Sequence, residues 1–194
     1  MSSYHIFETV IGWAGIVWTG QGLIGAHLPE RNPEVVLQSF ERRFPGVVDA
    51  DPTPEMADIV ERIRALMRGE KADLSTAPLD LTRIPEFNAK VYEIARRIPA
   101  GETLTYGQIA VKLGDRLLAR DVGAALGKNP MPIVVPCHRV TAANGKLGGF
   151  TARGGANTKL KLLEIEGAAA AADARAKPAK AKPKPKPPNQ PRLL

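Results

Sequence analysis

The residues with the most chemistry in this 194-residue chain stand in one stretch, Ile133-Val134-Val135-Pro136-Cys137-His138-Arg139-Val140. It holds the only cysteine, set between a proline and a histidine. A free thiol with a pKa of about 8.5 is only a few per cent thiolate at neutral pH. A cysteine nucleophile therefore needs a base in contact, and a carboxylate behind the base to fix its tautomer and stabilise the imidazolium. His138 is the adjacent base. Glu166 is the candidate carboxylate, because it follows Leu162 and Leu163 by four and three residues, on an apolar stripe where a carboxylate needs a partner. In a β-strand, Cys137 and His138 would face opposite sides, and the imidazole would reach the thiol through a water or a turned backbone. A lone cysteine is equally at home as a small buried hydrophobe, and spacing alone does not choose between the two.

Several elements have to position these residues. Phe87 to Ile98 reads as an amphipathic helix with Phe87, Val91, Ile94, Ala95 and Ile98 on one face, stopped by Pro99-Ala100-Gly101. A second helix follows, with Thr105 as N-cap and Tyr106, Ile109, Ala110 and Leu113 facing inward. After a tight turn at Gly114-Asp115, a third helix is expected from Arg116 to Gly127. Its Leu118, Val122, Ala125 and Leu126 point one way, and Arg116, Arg120, Gly123, Ala124 and Gly127 the other. An outer face of two arginines and small residues lets a backbone approach another surface closely, the pattern of a helix-turn-helix. Two core helices with a chance arginine would look the same.

Asn129-Pro130-Met131-Pro132 excludes regular helix or central strand, and the β-branched Ile133–Val135 is expected to be a strand. Asn144-Gly145 is a turn dipeptide, and a last helix is expected from Asn157 to Glu166. Glu164, next to Lys161, reads as solvated.

Upstream, β runs Thr9–Trp18 and Leu23–Leu28 flank the turn signal Thr19-Gly20-Gln21-Gly22, predicting a hairpin with Trp13 and Trp18 in a small core. Pro33–Phe44 and Glu55–Arg68 read as helices, the second with an Ile59, Ile63, Leu66, Met67 stripe. Asp73 to Pro85 has the composition of a linker, placing a domain boundary near residue 82. His5 and His27 lack ligand-spaced partners, so no metal and no cofactor is expected.

Length allows one sizeable domain or two small ones. No apolar run is long enough to span a bilayer and no signal-peptide pattern opens the chain. A single thiol excludes an internal disulfide and suits a reducing, cytosolic or nuclear setting. Charge is uneven: residues 1–82 hold 7 Lys/Arg against 12 Asp/Glu, residues 83–167 hold 13 against 7, and residues 168–194 hold 7 against 1. A polyanion would be repelled by the first part and drawn to the other two. From Ala168 the chain is alanine, lysine and proline, a composition too poor in apolar residues to fold, hence an expected disordered basic tail.

The stretches Tyr106-Gly107-Gln108-Ile109-Ala110, Ala119-Arg120-Asp121-Val122-Gly123, Gly127-Lys128-Asn129-Pro130, Ile133 to Val140 and Gly148-Gly149-Phe150 closely resemble the O6-alkylguanine-DNA alkyltransferase family over residues 84–167. The resemblance implies an α+β fold: a ribonuclease H-like sheet-plus-helix domain at 1–82, a mainly helical domain with a helix-turn-helix at 83–167, and the tail at 168–194. It implies direct reversal of DNA damage. Cys137 would take the alkyl group from O6-alkylguanine in double-stranded DNA, and possible acceptance of O4-alkylthymine is left open. The group stays as a thioether, so the protein would act once.

By the same resemblance His138 (through a water) and Glu166 would generate the thiolate, and Tyr106 would donate to guanine N3. Arg120 would fill the gap left by the flipped base, with Arg116, Gly123, Ala124 and Gly127 on the DNA-facing helix in the minor groove. Asn129 would tie that helix to the active-site strand at the substrate side, and Pro132, Val140, Phe150 and Thr151 would line the guanine pocket. The segment Thr151-Ala152-Arg153 makes a slightly longer loop than some members have, and the first domain lacks the cysteines of zinc-binding relatives. A cytoplasmic, bacterial-type monomer, associated with the nucleoid when on DNA and with no membrane partner, completes the expectation. Two rival readings remain: a damage-binding or regulatory helix-turn-helix protein without transferase activity, and a multiple-turnover cysteine hydrolase.

Overall fold

Alternating apolar residues between glycine turns fold the first thirty residues into an antiparallel meander: β1 (Ser3–Thr9), β2 (Gly12–Thr19) and β3 (Gly22–Glu30). The structure is a computed structural model; it describes residues 1–143 and 146–176, with side chains described through residue 172. The expected hairpin is β2–β3, and β1, which shares only Thr9 with the expected run Thr9–Trp18, adds a further strand. A short β4 (Val48–Asp49) pairs parallel with β1, giving the order β3-β2-β1-β4. Trp18 is buried, while Trp13 is only partly so, packed against Val17, Val36 and Phe40.

Helix α1 (Pro33–Arg43) covers one face of the sheet through Val36 and Phe40. Helix α2 (Pro54–Met67) is N-capped by Thr53, whose Oγ1 accepts from Met56 N at 3.3 Å. It buries Met56, Ile59, Val60, Ile63, Leu66 and Met67, a wider version of the stripe seen in the sequence. The segment read as a linker is docked. Leu23 N donates to Pro78 O and Asp80 N to Leu23 O, both at 2.9 Å, and Leu74 and Ala77 are buried. Gly22 makes this possible: at φ +136 it leaves room for the Pro78 carbonyl, which a Cβ would meet at 2.7 Å.

Helix α3 (Glu86–Ala95) buries Val91, Tyr92 and Ala95. A short β5 (Leu104–Thr105) leads into α4 (Tyr106–Lys112), where Thr105 and Gln108 form the reciprocal capping box. The third helix begins later than expected. Arg116–Leu118 is a single 3-10 turn, its start held by Asp115 Oδ1 accepting from Leu117 N at 2.8 Å, and α5 runs Ala119–Gly127. The buried side of α5 is Val122, Ala125 and Leu126, as its periodicity requires.

Ile133–Val135 is not a strand. Flanking Pro132 and Pro136 remove backbone donors, and the segment coils instead, with Ile133 at φ +77 and Val135 N donating to Met131 O at 2.8 Å. β-branched residues are selected here for burial: Ile133, Val134 and Val135 are each 1 % exposed or less. Cys137–Arg139 forms a 3-10 turn, followed by β6 (Val140–Thr141), parallel to β5. Helix α6 (Ala156–Ile165) follows. Residues 168–176 also depart from expectation: Ala169–Ala176 is helix α7, because alanine is the strongest helix former and Ala168 and Ala171 bury against Leu163. The Asn144-Gly145 turn and the Lys/Pro-rich residues 177–194 lie outside the described residues. One buried cluster runs through both halves, from Phe7 and Met56 to Tyr92, Ile109, Val135 and Leu162.

Candidate active site

Asn129 builds the platform for Cys137. Its Nδ2 donates to Val135 O at 2.8 Å and its Oδ1 accepts from Met131 N at 3.0 Å, so one side chain replaces the ladder that the two prolines forbid. The turn then presents Cys137 at the opening of a 3-10 turn, with Cys137 N donating to Val135 O at 2.8 Å. Cys137 is partly exposed and lines two cavities. Burial pushes the thiol up, opposed by the Asn129 side chain and the positive charge of Lys159. The resting group is a thiol.

His138 is 1 % exposed, and its Nε2 lies 2.9 Å from Glu166 Oε1. Burial holds the imidazole below its ordinary pKa, with Arg139 and Lys159 adding to the effect and Glu166 opposing it. A neutral ring facing a carboxylate carries its hydrogen on Nε2, which leaves Nδ1 as a lone-pair acceptor. Nδ1 is buried and has no partner among the described residues. No direct hydrogen bond joins the imidazole to the Cys137 thiol among those residues; the two side chains stand on a 3-10 turn, so the opposite-face argument made for a strand does not apply to them.

Glu166 sits at the C-cap of α6 and is 3 % exposed at the side chain. Burial alone would raise its pKa, but the hydrogen bonds and charges of His138 and Arg139 hold it at about 2. Arg139 was missed in the sequence. It is buried, its Nε donates to Glu166 Oε1 and Oε2 at 3.2 and 3.0 Å, its Nη2 to Oε1 at 2.8 Å, and its Nη1 to Ile98 O at 2.6 Å. Lys159 was missed too: it is 0 % exposed, donates to Val140 O, and lies 5.8 Å from the Tyr106 ring centroid. Burial pushes its pKa down to about 8. The signal was present, since Lys159, Leu162, Leu163 and Glu166 share one helical face.

Tyr106 opens α4 beside Cys137 and its Oη donates to Gly149 O at 3.2 Å. Gly148, at φ +75, lets the loop lie over that ring, where a Cβ would meet Tyr106 at 2.8 Å. The smaller cavity, about 260 Å³, is lined by Tyr106, Gly123, Gly127, Cys137, Phe150 and Thr151, among others. Thr151 Oγ1 donates to Gly127 O at 3.0 Å, tying the loop to α5. Asn129 and Pro132 line the larger cavity, about 830 Å³. Val140 lines neither, being fully buried behind the turn. Arg116, Arg120, Ala124 and Gly127 are exposed and Gly123 half-buried on the outer side of α4 and α5. His5 and His27 are partly buried, and no group of three or more His, Cys, Asp or Glu side chains among the described residues could hold a metal.

A sequence profile described as "6-O-methylguanine DNA methyltransferase, DNA binding domain" matches residues 86–168. A methylated-DNA–protein-cysteine methyltransferase of Mycobacterium bovis is 45% identical over 167 residues, 86% of this chain and 93% of that one. The methyltransferase of the same name from Methanothermobacter thermautotrophicus is 31% identical over 153 residues, 79% of this chain and 78% of that one. The crystal structure of Mycobacterium tuberculosis OGT in complex with DNA superposes with a TM-score of 0.66 at 32% identity, covering 88% of this chain and 98% of that one.

Proposed function

The chain belongs to the methylated-DNA–protein-cysteine methyltransferase family, and we propose from this premise that Cys137 receives the alkyl group of O6-alkylguanine in double-stranded DNA. The reaction is direct-reversal DNA repair. The observation that carries the assignment to Cys137 is the pair behind it: a neutral imidazole bound through Nε2 to an ionised Glu166, with Nδ1 unpartnered. A water between Nδ1 and the thiol completes a relay. The thiol proton passes to Nδ1, Glu166 stabilises the imidazolium, and the thiolate displaces guanine O6 from the alkyl carbon in one step. Tyr106 donates to guanine N3 as negative charge develops on the leaving base. The thioether is stable, so each molecule acts once.

The extruded guanine occupies the smaller cavity, against Phe150 and Thr151, with Asn129 holding the turn and Pro132 at the rim. Val140 shapes this site from behind. Helices α4 and α5 act as a helix-turn-helix whose smooth face, Gly123, Ala124 and Gly127 with Arg116 at its edge, enters the minor groove while Arg120 fills the vacated stack. Residues 1–82 form a ribonuclease H-like supporting domain, 83–167 the transfer domain, and the basic residues beyond 176 a disordered tether. The protein works as a monomer in the cytoplasm, associated with the nucleoid when on DNA. Simple damage binding without transfer is not favoured, because it leaves the buried His138–Glu166 pair behind a thiol without a task. The same pair in a cysteine hydrolase would turn over repeatedly.

Incubation with a duplex containing O6-methylguanine is expected to add one methyl mass to the peptide carrying Cys137, to one equivalent and no further. Methylation elsewhere, or a second turnover, overturns the assignment. Cys137→Ser is expected to abolish transfer and keep duplex binding within about threefold, since a thiol contributes little to phosphate contacts.

A further inference from the structure

Cys137 stands where two cavities meet: the base is seated in the smaller, and the reaction above uses only the Asn129 and Pro132 edge of the larger. A base seated there aims O6 at Sγ, with the transferred carbon between them. Substituent atoms beyond that carbon have to leave by the other side, into the cavity of about 830 Å³. That cavity lies toward α1 and is bordered by Arg31, Arg42, Arg43 and Arg153, with His27 and the single carboxylate of Glu30. Glu30 is 3.9 Å from Arg153.

Arg43 is the informative member. It is half-buried, donates through Nη1 and Nη2 to Ala26 O and Pro130 O at 3.2 and 2.6 Å, and lies 5.0 Å from the Phe44 ring centroid. It makes no ion pair among the described residues. A guanidinium that has lost water without gaining a counter-charge creates a site that favours an anion. His27 lies in the same field: burial, with Arg43 and Arg42, holds its pKa below the ordinary value.

We propose that the larger cavity is a subsite for acid-terminated O6 substituents, so that the protein repairs O6-carboxyalkylguanine in preference to neutral adducts of the same size. The proposal rests on Cys137 being the alkyl acceptor. The step balances without a co-reactant: the Sγ–carbon bond forms, the carbon–O6 bond breaks with its electron pair on O6, and the thiol proton ends on guanine N1. The carboxylate stays on the transferred group and faces Arg43.

The test compares single-turnover transfer from duplexes carrying O6-methyl-, O6-carboxymethyl- and O6-carbamoylmethylguanine to the full chain, read by intact mass. The carbamoyl group is the neutral isostere. The carboxymethyl-to-carbamoylmethyl rate ratio is expected to fall about tenfold in Arg42→Gln/Arg43→Gln, as for one partly screened ion pair, and to be retained in Arg43→Lys. Arg31→Gln/Arg42→Gln, which changes only exposed side chains, is expected to lower the ratio in the same direction, so poor folding of an Arg43 variant cannot hide the answer. An unchanged ratio in both double variants overturns the proposal. So does an equal loss for all three adducts with weaker binding to undamaged duplex, which would make these arginines DNA-backbone contacts. Failure of the wild type to accept methyl at Cys137 would instead overturn the underlying assignment.

Discussion

At His138 the two ring nitrogens differ: Nε2 is fixed by Glu166, Nδ1 has no partner among the described residues, and in the proposed relay it is Nδ1 that takes the thiol proton. Because the imidazole is held below its ordinary pKa, it is unprotonated at neutral pH, and transfer should lose rate only as pH falls below about 6.5. Arg139 contributes to that depression, so Arg139→Gln is expected to shift the acid limb of the pH–rate profile to higher pH; an unmoved limb would contradict it. The linkage to stability has the same direction for both partners. Glu166 is depressed to about 2 from 4.5, so its contribution is complete above pH 4.5 and lost as pH falls toward 2. His138, also depressed, begins to favour unfolding as pH drops below 6.5. Replacing Glu166 with Gln leaves Arg139 buried without its counter-charge, and urea melts should show a loss of about 3–5 kcal/mol. Lys159 acts in the same direction in a higher pH window. Depressed from 10.5 to about 8, its charged form is disfavoured in the fold, so the fold gains relative stability as pH rises from 8 toward 10.5.

Among the elements, the amphipathic helices were legible because their burial follows a period of 3.6: the α2 stripe and the buried side of α5 are where the sequence put them. The Thr105 cap was legible for a similarly local reason, since its partner, Gln108, is three residues away. Ile133–Val135 was not, because β-branched residues signal burial and strand alike, and only Asn129's two bonds with the prolines on either side reveal a coil. That coil, rather than a strand, removes the opposite-face constraint on Cys137 and His138. For α5, Arg120→Ala is expected to slow transfer from duplex O6-methylguanine about tenfold or more, the loss of a side chain that offsets an unstacking of a few kcal/mol. Transfer from the free alkylated base, which needs no extrusion, should be unchanged. Equal slowing on both substrates would count against the role of Arg120 in base flipping.

Over the whole molecule, the acidic first part and basic remainder orient the site toward a polyanion. Deleting residues 177–194, which hold 6 Lys/Arg and no Asp/Glu, should weaken duplex binding at low salt and flatten the slope of log affinity against log salt. An unchanged slope would leave the tail no part in DNA binding. By itself the sequence determined the candidate stretch around its single cysteine, the helices around it, the sign of the partner's charge and, through resemblance, the chemistry. All of these rest on local periodicity, composition or motif. What only the tertiary structure decided were contacts across long separations: Arg139 and His138 meeting Glu166 some 27 and 28 residues on, Lys159 buried behind Tyr106, and Arg43 reaching Pro130 across 87 residues. No period encodes such meetings. They follow from which faces remain after each helix and strand has buried its own apolar stripe, and that is settled only when the chain closes on a common core.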